Sequence, residues 1–100
     1  MSRVTISTHV LHLGSGLPAA GVPVRVEAPE GRSESGRTDA DGRLRFQQEF
    51  ETGTFTLGFE LEDWSELHRS VTLTLELREA RHHHLPLLVS PYGLTTYRGS

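Results

Sequence analysis

The chain has 100 residues, no cysteine and a formal net charge of −3. This length allows a single domain, which we place at residues 1–100. The mild acidity argues against general binding to nucleic acid or to an anionic membrane surface. The absence of cysteine excludes disulfides, thiol catalysis and thiolate metal sites.

Apolar residues recur at every second position through most of the chain, which is the pattern of half-buried β-strands. The first run, residues 4–10, has apolar side chains on one face and polar side chains, including His9, on the other. Three similar stripes follow, separated by turn residues such as Asp41-Gly42. The stripes are Val22, Val24 and Val26; Phe55, Leu57, Phe59 and Leu61; and Val71, Leu73, Leu75 and Leu77.

The number and spacing of these runs predict an all-β protein, an antiparallel sandwich of seven to eight strands. Residues 63–69 form the only plausible helix, about two turns long, with Asp63 or Ser65 as its candidate cap. No apolar run approaches the ~20 residues needed to cross a bilayer. The alternating N-terminal run is not a secretory signal. We therefore expect a soluble, cytoplasmic protein.

Three histidines are the first candidates for chemistry. His9 lies on the polar face of the first strand, while His82 and His84 share a face because they are two residues apart. Histidine exchanges a proton near neutral pH, which suits it to act as a general base. Two other interpretations stay open. The same three side chains could hold zinc with an open fourth position, or they could form a row of exposed histidines on an edge strand.

Arg43 and Tyr97 are the other candidates. Arg43 follows the Asp-Gly turn and opens a strand, and its guanidinium can make paired hydrogen bonds with planar acceptors. Tyr97 and Arg98 point in opposite directions on a strand, so only one of them can share a given face. Tyr97 can stack on a planar ring or hydrogen-bond to it. His9, His84 and Arg43 would together make a locally positive pocket in an acidic protein.

Four separated blocks of the sequence, covering about half the chain, resemble the 5-hydroxyisourate hydrolases, the transthyretin-related enzymes of urate breakdown. The chain ends in Tyr97-Arg98-Gly99-Ser100, and the run His-x-His-Leu-Pro-Leu-Leu begins at His82. The family pattern has tyrosine where this chain has His83. The remaining blocks are residues 6–11, 16–24 and 38–43.

The resemblance implies a transthyretin-like (prealbumin-like) sandwich and a homotetramer, a dimer of dimers whose inner sheets enclose a channel. The implied reaction opens the six-membered ring of 5-hydroxyisourate to give 2-oxo-4-hydroxy-4-carboxy-5-ureidoimidazoline, with no cofactor and no metal. By matching position, His9 and His84 would hold and deprotonate the attacking water. Arg43 would bind the substrate and stabilise the oxyanion, and Tyr97 would orient the ring.

Two other functions are compatible with such a sandwich. One is a non-catalytic, transthyretin-like carrier that binds a small aromatic molecule in the channel. The other is a carbohydrate-binding or adhesion module. The C-terminus of transthyretin lacks Tyr-Arg-Gly-Ser and its channel lacks the histidine pair, so the sequence favours the hydrolase.

Overall fold

A computed structural model describes residues 3–99, which form ten strands in two sheets and no α-helix. None of these residues belongs to a helix long and apolar enough to cross a membrane. The strands, in chain order, are β1 (Thr5–His12), β2 (Leu17–Pro18), β3 (Pro23–Glu27), β4 (Ser33–Arg37), β5 (Arg43–Arg45), β6 (Gly53–Glu60), β7 (Ser70–Leu77), β8 (His82–His84), β9 (Leu87–Ser90) and β10 (Gly93–Thr96).

The two sheets differ in how their strands pair. The four-stranded sheet has the order β4-β3-β6-β7 and is antiparallel throughout. The six-stranded sheet is organised around β1, which pairs with β2 and β5 in antiparallel fashion and with β8 and β9 in parallel. The predicted wholly antiparallel pairing is therefore wrong at β1. Parallel strands need a long crossover, and the whole four-stranded sheet lies within the connection from β1 to β8.

The structure has more strands than the seven or eight predicted, because one short strand is added and one run is divided. A two-residue strand, β2, follows the turn after β1. Leu85 and Pro86 separate β8 from β9, because proline has no N–H to give to a strand ladder. Leu85 still donates its N–H to the carbonyl of Ser7, so the two halves continue along the same edge of β1.

The short helix predicted at residues 63–69 is also wrong. The chain makes one turn there, in which the N–H groups of residues 64 and 65 both donate to the Leu61 carbonyl. The N–H groups of residues 66 and 67 donate instead to the Pro91 carbonyl, on the loop that leads into β10. A helix would direct those two groups to residues 62 and 63. The tertiary acceptor at Pro91 thus replaces the second helical turn.

The core lies between the two sheets and takes alternate side chains from their strands. The predicted apolar stripes of β1, β3 and β6 are buried, and Phe46 and Phe50 add two aromatic rings beside them. Complete burial of one such side chain contributes about 1.5–3 kcal/mol to folding. The stripe of β7 is only partly buried, because β7 is an edge strand. Alternation has a second consequence: the side chains of β1 between the core positions all face outward.

Candidate active site

The outward face of β1 carries a row of polar side chains that β5 extends on one side. His9 is paired in register with Arg43, and Ser7 with Arg45. Side chains of paired residues project from the same side of a sheet. The pairing of β1 with β5 therefore sets two guanidinium groups beside His9 and Ser7, on the face turned away from the core.

β8 extends the same row on the other side of β1. Ser7 is paired with His84, and Thr5 with His82, so both histidines share this face. His83, between them, points into the core and is 3% exposed. This burial is what strand alternation predicts. His83, the residue that departs from the family pattern, is therefore not part of the outward row.

Hydroxyl groups connect the two outward histidines. The Ser7 hydroxyl oxygen lies 2.8 Å from His82 Nε2 and 2.8 Å from His84 Nδ1. On the far side, His82 Nδ1 lies 2.7 Å from the Thr5 hydroxyl oxygen. Both nitrogens of His82 are thus occupied, whereas His84 has Nε2 free of protein hydrogen bonds within residues 3–99.

The two histidines also share an electrostatic setting. Burial lowers the pKa of both His82 and His84 below the ordinary histidine value of 6.5. Nearby cations lower them further, Arg45 chiefly for His82 and Arg43 chiefly for His84, because a positive charge disfavours a second one. Both rings are therefore neutral at neutral pH and able to accept a proton.

A tight turn positions Arg43. The Asp39 carboxylate accepts the N–H groups of Asp41 and Arg43, each across 2.9 Å, and the Arg43 bond is the main cause of a lowered pKa at Asp39. Gly42 has a φ of 76°, and a Cβ at this position would lie 2.4 Å from the Val10 carbonyl oxygen. Only glycine lets the turn approach β1 this closely.

His9 is oriented by the same turn. Its Nε2 lies 2.8 Å from the carbonyl oxygen of Asp41. A carbonyl only accepts hydrogen bonds, so Nε2 must carry the proton. In the neutral ring, Nδ1 is then the basic nitrogen. The Asp-Gly turn consequently fixes the tautomer of His9 and the position of Arg43 together.

The C-terminal tail lies against His84. The N–H of Gly99 donates to the His84 carbonyl across 2.8 Å, and Arg98 forms an ion pair with Glu79 at 3.7 Å. Tyr97 is 53% exposed. Ser100, and with it the terminal carboxylate, lies outside the described residues.

A cavity of about 430 Å³ opens on this face. It brings Arg43 and His84 together, as the sequence analysis expected. His9 is next to Arg43 on the same face but is not among the lining residues, and neither is Tyr97. The lining consists of Ser7, Thr8, Asp39, Arg43, Leu44, Arg45, His82 and His84.

Three polar lining residues, Ser7, Asp39 and Arg45, were not predicted as site residues from the sequence. Ser7 and Arg45 each lie two positions from a predicted site residue, so strand alternation alone could have placed them on this face. Asp39 could have been found from its position at the start of the Asp-Gly turn, where a carboxylate commonly accepts backbone N–H groups.

The zinc interpretation gains no support from this arrangement. His82 directs both ring nitrogens at hydroxyl oxygens. Over residues 3–99, no group of three or more histidine, cysteine, aspartate or glutamate side chains is arranged to hold a metal ion.

Two somewhat larger hollows occur elsewhere but lack this chemistry. One, of about 540 Å³, lies over the four-stranded sheet beside Arg25, Arg37 and Phe59. The other, of about 580 Å³, lies beside Trp64 and contains one histidine, His12. Neither offers a pair of histidines beside an arginine, so the cavity at His84 is the better candidate for an active site.

Comparison with known proteins identifies the family of this chain. Residues 6–99 match the family described as HIUase/Transthyretin. The chain belongs to this family. A protein of Caulobacter vibrioides named 5-hydroxyisourate hydrolase is 40% identical over 112 aligned positions, covering 95% of this chain and 97% of the relative.

Solved structures of family members share the fold. The structure of Klebsiella pneumoniae 5-hydroxyisourate hydrolase matches with a TM-score of 0.84 and 32% identity, over 96% of this chain and 99% of that one. Sea bream transthyretin in complex with thyroxine matches with a TM-score of 0.78 over 94% and 93% of the two chains. At 24% identity, the second match shows the fold alone. The predicted transthyretin-like sandwich is confirmed, apart from the helix, the number of strands and the parallel pairing of β1.

Proposed function

We propose that this protein is a 5-hydroxyisourate hydrolase, which opens the six-membered ring of its substrate to give 2-oxo-4-hydroxy-4-carboxy-5-ureidoimidazoline in urate breakdown. One observation carries the proposal. A neutral histidine and a guanidinium face a single cavity, in a chain that matches a protein named for this activity along nearly its whole length.

In the proposed reaction, His84 acts on the attacking water through Nε2, the ring nitrogen that the Ser7 contact leaves free. The water oxygen adds to a ring carbonyl carbon while the histidine takes up the proton. The adjacent carbon–nitrogen bond then breaks, and the leaving nitrogen receives that proton. His9, with Nδ1 as its basic nitrogen, is the second residue proposed to hold or deprotonate the water.

Arg43 is proposed to bind the substrate and to stabilise the negative charge that develops on the carbonyl oxygen. A guanidinium offers donors in a planar fork, which matches the carbonyl and ring-nitrogen edge of an oxidised purine. Because the Asp39 turn holds its backbone, this donor is positioned before the charge appears, which is what makes oxyanion stabilisation effective.

The proposed enzyme is a homotetramer, and Tyr97 is proposed to orient the substrate ring in the assembled site. Strands β7 and β10 lie at edges of their sheets, and unpaired strand edges readily pair with another chain. Tyr97 and Tyr92 are both exposed in the single chain. A 100-residue sandwich with a modest core also gains stability from association. Sedimentation as a monomer at micromolar concentration during turnover would contradict the tetramer.

The non-catalytic carrier is the weaker alternative. A carrier for an aromatic molecule is expected to have a mainly apolar cavity with a few polar groups. Here the cavity is lined by two histidines, two arginines and an aspartate. Hydrolysis uses such groups, whereas passive binding of an aromatic ring does not.

The test is to generate 5-hydroxyisourate in place from urate with urate oxidase and to follow the decay of its ultraviolet absorbance. We expect the protein to accelerate this decay well beyond the spontaneous rate. Decay at the spontaneous rate would exclude the hydrolase. A cytoplasmic location stays a prediction, to be tested by cell fractionation.

A further inference from the structure

Ser7 occupies the centre of a continuous hydrogen-bonded chain that runs from Thr5 through His82 to His84. Its hydroxyl oxygen is 2.8 Å from a nitrogen of each histidine ring, and the Thr5 hydroxyl closes the far end at 2.7 Å. We propose that Ser7 is a positioning residue that couples the tautomers of His82 and His84 and transfers a proton between them. Its catalytic consequence rests on the proposed function; the coupling of the tautomers does not.

The coupling follows from the single proton of a hydroxyl group. Ser7 can donate to only one of the two rings and must accept from the other. If Ser7 donates to His82 Nε2, then His84 donates from Nδ1, and His82 carries its own proton on Nδ1 toward Thr5. If Ser7 donates to His84 Nδ1 instead, both rings carry their protons on Nε2. In either case the two neutral histidines have the same tautomer.

Only the first of these two states leaves His84 ready to act as a base. With its proton on Nδ1, His84 has a lone pair on Nε2, which makes no hydrogen bond to any of residues 3–99. Arg43 lines the same cavity, and its positive charge disfavours a further proton on this ring. Ser7 therefore does more than hold the ring in place, because it ties the basic nitrogen of His84 to the tautomer of His82.

The same chain gives the abstracted proton a place to go. When His84 Nε2 takes a proton from water, His84 passes its Nδ1 proton to the Ser7 oxygen, and Ser7 passes its own proton to His82 Nε2. His84 ends neutral, and His82 ends as the cation, whose Nδ1–H donates to the Thr5 hydroxyl oxygen. The hydroxide adds to the carbonyl carbon. The reverse transfer returns a proton to the leaving nitrogen. No other reactant is needed.

The tail restrains His84 from the opposite side. The Gly99 backbone lies so close that a Cβ there would come within 2.8 Å of His84 Cδ2. Held between Gly99 and Ser7, the ring has little freedom to turn its two nitrogens around. A fixed ring is required for a coupled tautomer, since a ring flip would break the Ser7 contact.

The direct test is nitrogen NMR of the histidine rings at a pH where they are neutral. Long-range proton–nitrogen spectra distinguish a protonated ring nitrogen from a basic one. In the wild type we expect His82 and His84 to show the same tautomer, protonated on Nδ1. In Ser7→Ala the tautomers of the two rings should no longer be coupled, so the rings should not share the Nδ1-protonated form. Opposite tautomers in the wild type, or an unchanged pattern in Ser7→Ala, would overturn the coupling.

Kinetics test the catalytic consequence. Ser7→Ala should lower kcat roughly 10- to 10²-fold with little change in KM, less than removal of a positioned acid–base group. Ser7→Thr keeps the hydroxyl and should restore most of the rate. Ser90→Ala is the matched control and should leave kcat unchanged. It removes a serine of the same sheet whose hydroxyl, within the described residues, hydrogen-bonds only to the Gly93 carbonyl. Full activity in Ser7→Ala would overturn the proton transfer.

The two readouts separate this proposal from the proposed function. If the wild type does not accelerate 5-hydroxyisourate decay, the proposed hydrolase function is wrong. The NMR comparison still decides whether Ser7 couples the tautomers of the two histidines. If the wild type is active and Ser7→Thr is as impaired as Ser7→Ala, the hydroxyl is not what matters and the proposal is wrong.

Discussion

The backbone of Gly99 is hydrogen-bonded to the carbonyl of His84 and lies beside its ring. Its N–H donates to the His84 carbonyl across 2.8 Å, and its α-carbon faces the edge of the imidazole. The C-terminal tail is therefore part of the surroundings of a cavity histidine, and the absence of a side chain at this position is what permits the contact.

Gly99→Ala should impair catalysis without unfolding the protein. The added methyl group would lie 2.8 Å from His84 Cδ2 and 3.2 Å from the His84 carbonyl oxygen, so either the ring or the tail must shift. A displacement of about 1 Å at a reacting group can cost roughly 10²-fold in rate. We expect a fall in kcat of this order, measured by the decay of 5-hydroxyisourate absorbance.

Gly58→Ala is the control for that change. It adds the same methyl group on β6, in the four-stranded sheet, where its nearest neighbour would be the Thr72 hydroxyl at an ordinary 3.7 Å. Activity should be retained. Equal losses in the two variants would show that the effect of Gly99→Ala is not exerted through His84.

Replacing either proposed catalytic histidine should be severe. His9→Ala and His84→Ala should each lower kcat by roughly 10²–10⁴-fold, the usual contribution of positioned acid–base catalysis. The fold should survive because both side chains face away from the core. The double variant should lose less than the product of the two single losses, since both groups act on one water.

His12→Ala serves as the comparison, because it removes a histidine at the C-terminal end of β1, beside Trp64 and away from the cavity. Its circular dichroism and its turnover should both be close to wild type. A silent His84→Ala combined with a damaging His82→Ala would mean that His82, not His84, meets the water.

How far the site could be predicted from the sequence depends on how far apart the contacting residues lie along the chain. Alternation along β1 and β8 correctly separated His9, His82 and His84 from the buried His83. Alternation gives the face of a strand but not its neighbours. The pairing of Ser7 with His84 joins residues from opposite ends of the chain, and nothing local to either residue specifies that register.

The failures have the same origin. The helix prediction at residues 63–69 used local capping residues, and the decisive acceptor, the Pro91 carbonyl, lies in a distant loop. Tyr97 was assigned a direction as if its strand continued, but β10 ends at Thr96. Beyond that point the tail follows its contacts with Glu79 and His84 rather than a two-residue repeat.

Activity should fall on the acid side with a midpoint below pH 6.5, because burial lowers the pKa of His84 and of His82 from that value. The reaction needs a neutral ring, so rate is lost only when pH drops through the lowered pKa. The measurement is kcat/KM between pH 5 and 8, with the spontaneous decay subtracted at each pH. A midpoint above 6.5 would contradict the assignment of these rings as the base.

The same shifts have a consequence for stability, with the sign fixed by proton linkage. The unfolded chain binds protons at these histidines at higher pH than the folded chain does, so the free energy of unfolding falls as pH drops below about 6.5. Above that pH these histidines are neutral in both the folded and the unfolded chain, so they do not change the free energy of unfolding with pH. In thermal melts, His82→Gln with His84→Gln should show a weaker decline toward acid than the wild type.

A strong chelator should leave turnover unchanged. The proposed chemistry uses side chains and water, and His82 already directs both nitrogens at hydroxyl groups. The assay is run after prolonged incubation with chelator and again after zinc is added back. Loss of activity that zinc restores would instead favour a site in which His9, His82 and His84 hold the metal.

Deletion of residues 97–100 should abolish turnover while leaving the sandwich folded. The deletion removes the Tyr97 phenol, the Arg98 cation and the Gly99 contact on His84 together, but none of the buried apolar residues. Circular dichroism should keep its β-sheet signature, and the decay of 5-hydroxyisourate should return to the spontaneous rate. Arg98→Gln removes only the exposed ion pair with Glu79. Its turnover and stability should both stay close to wild type, because such pairs contribute roughly 0–1 kcal/mol. A truncated protein with full activity would show that the tail does not help to build the site.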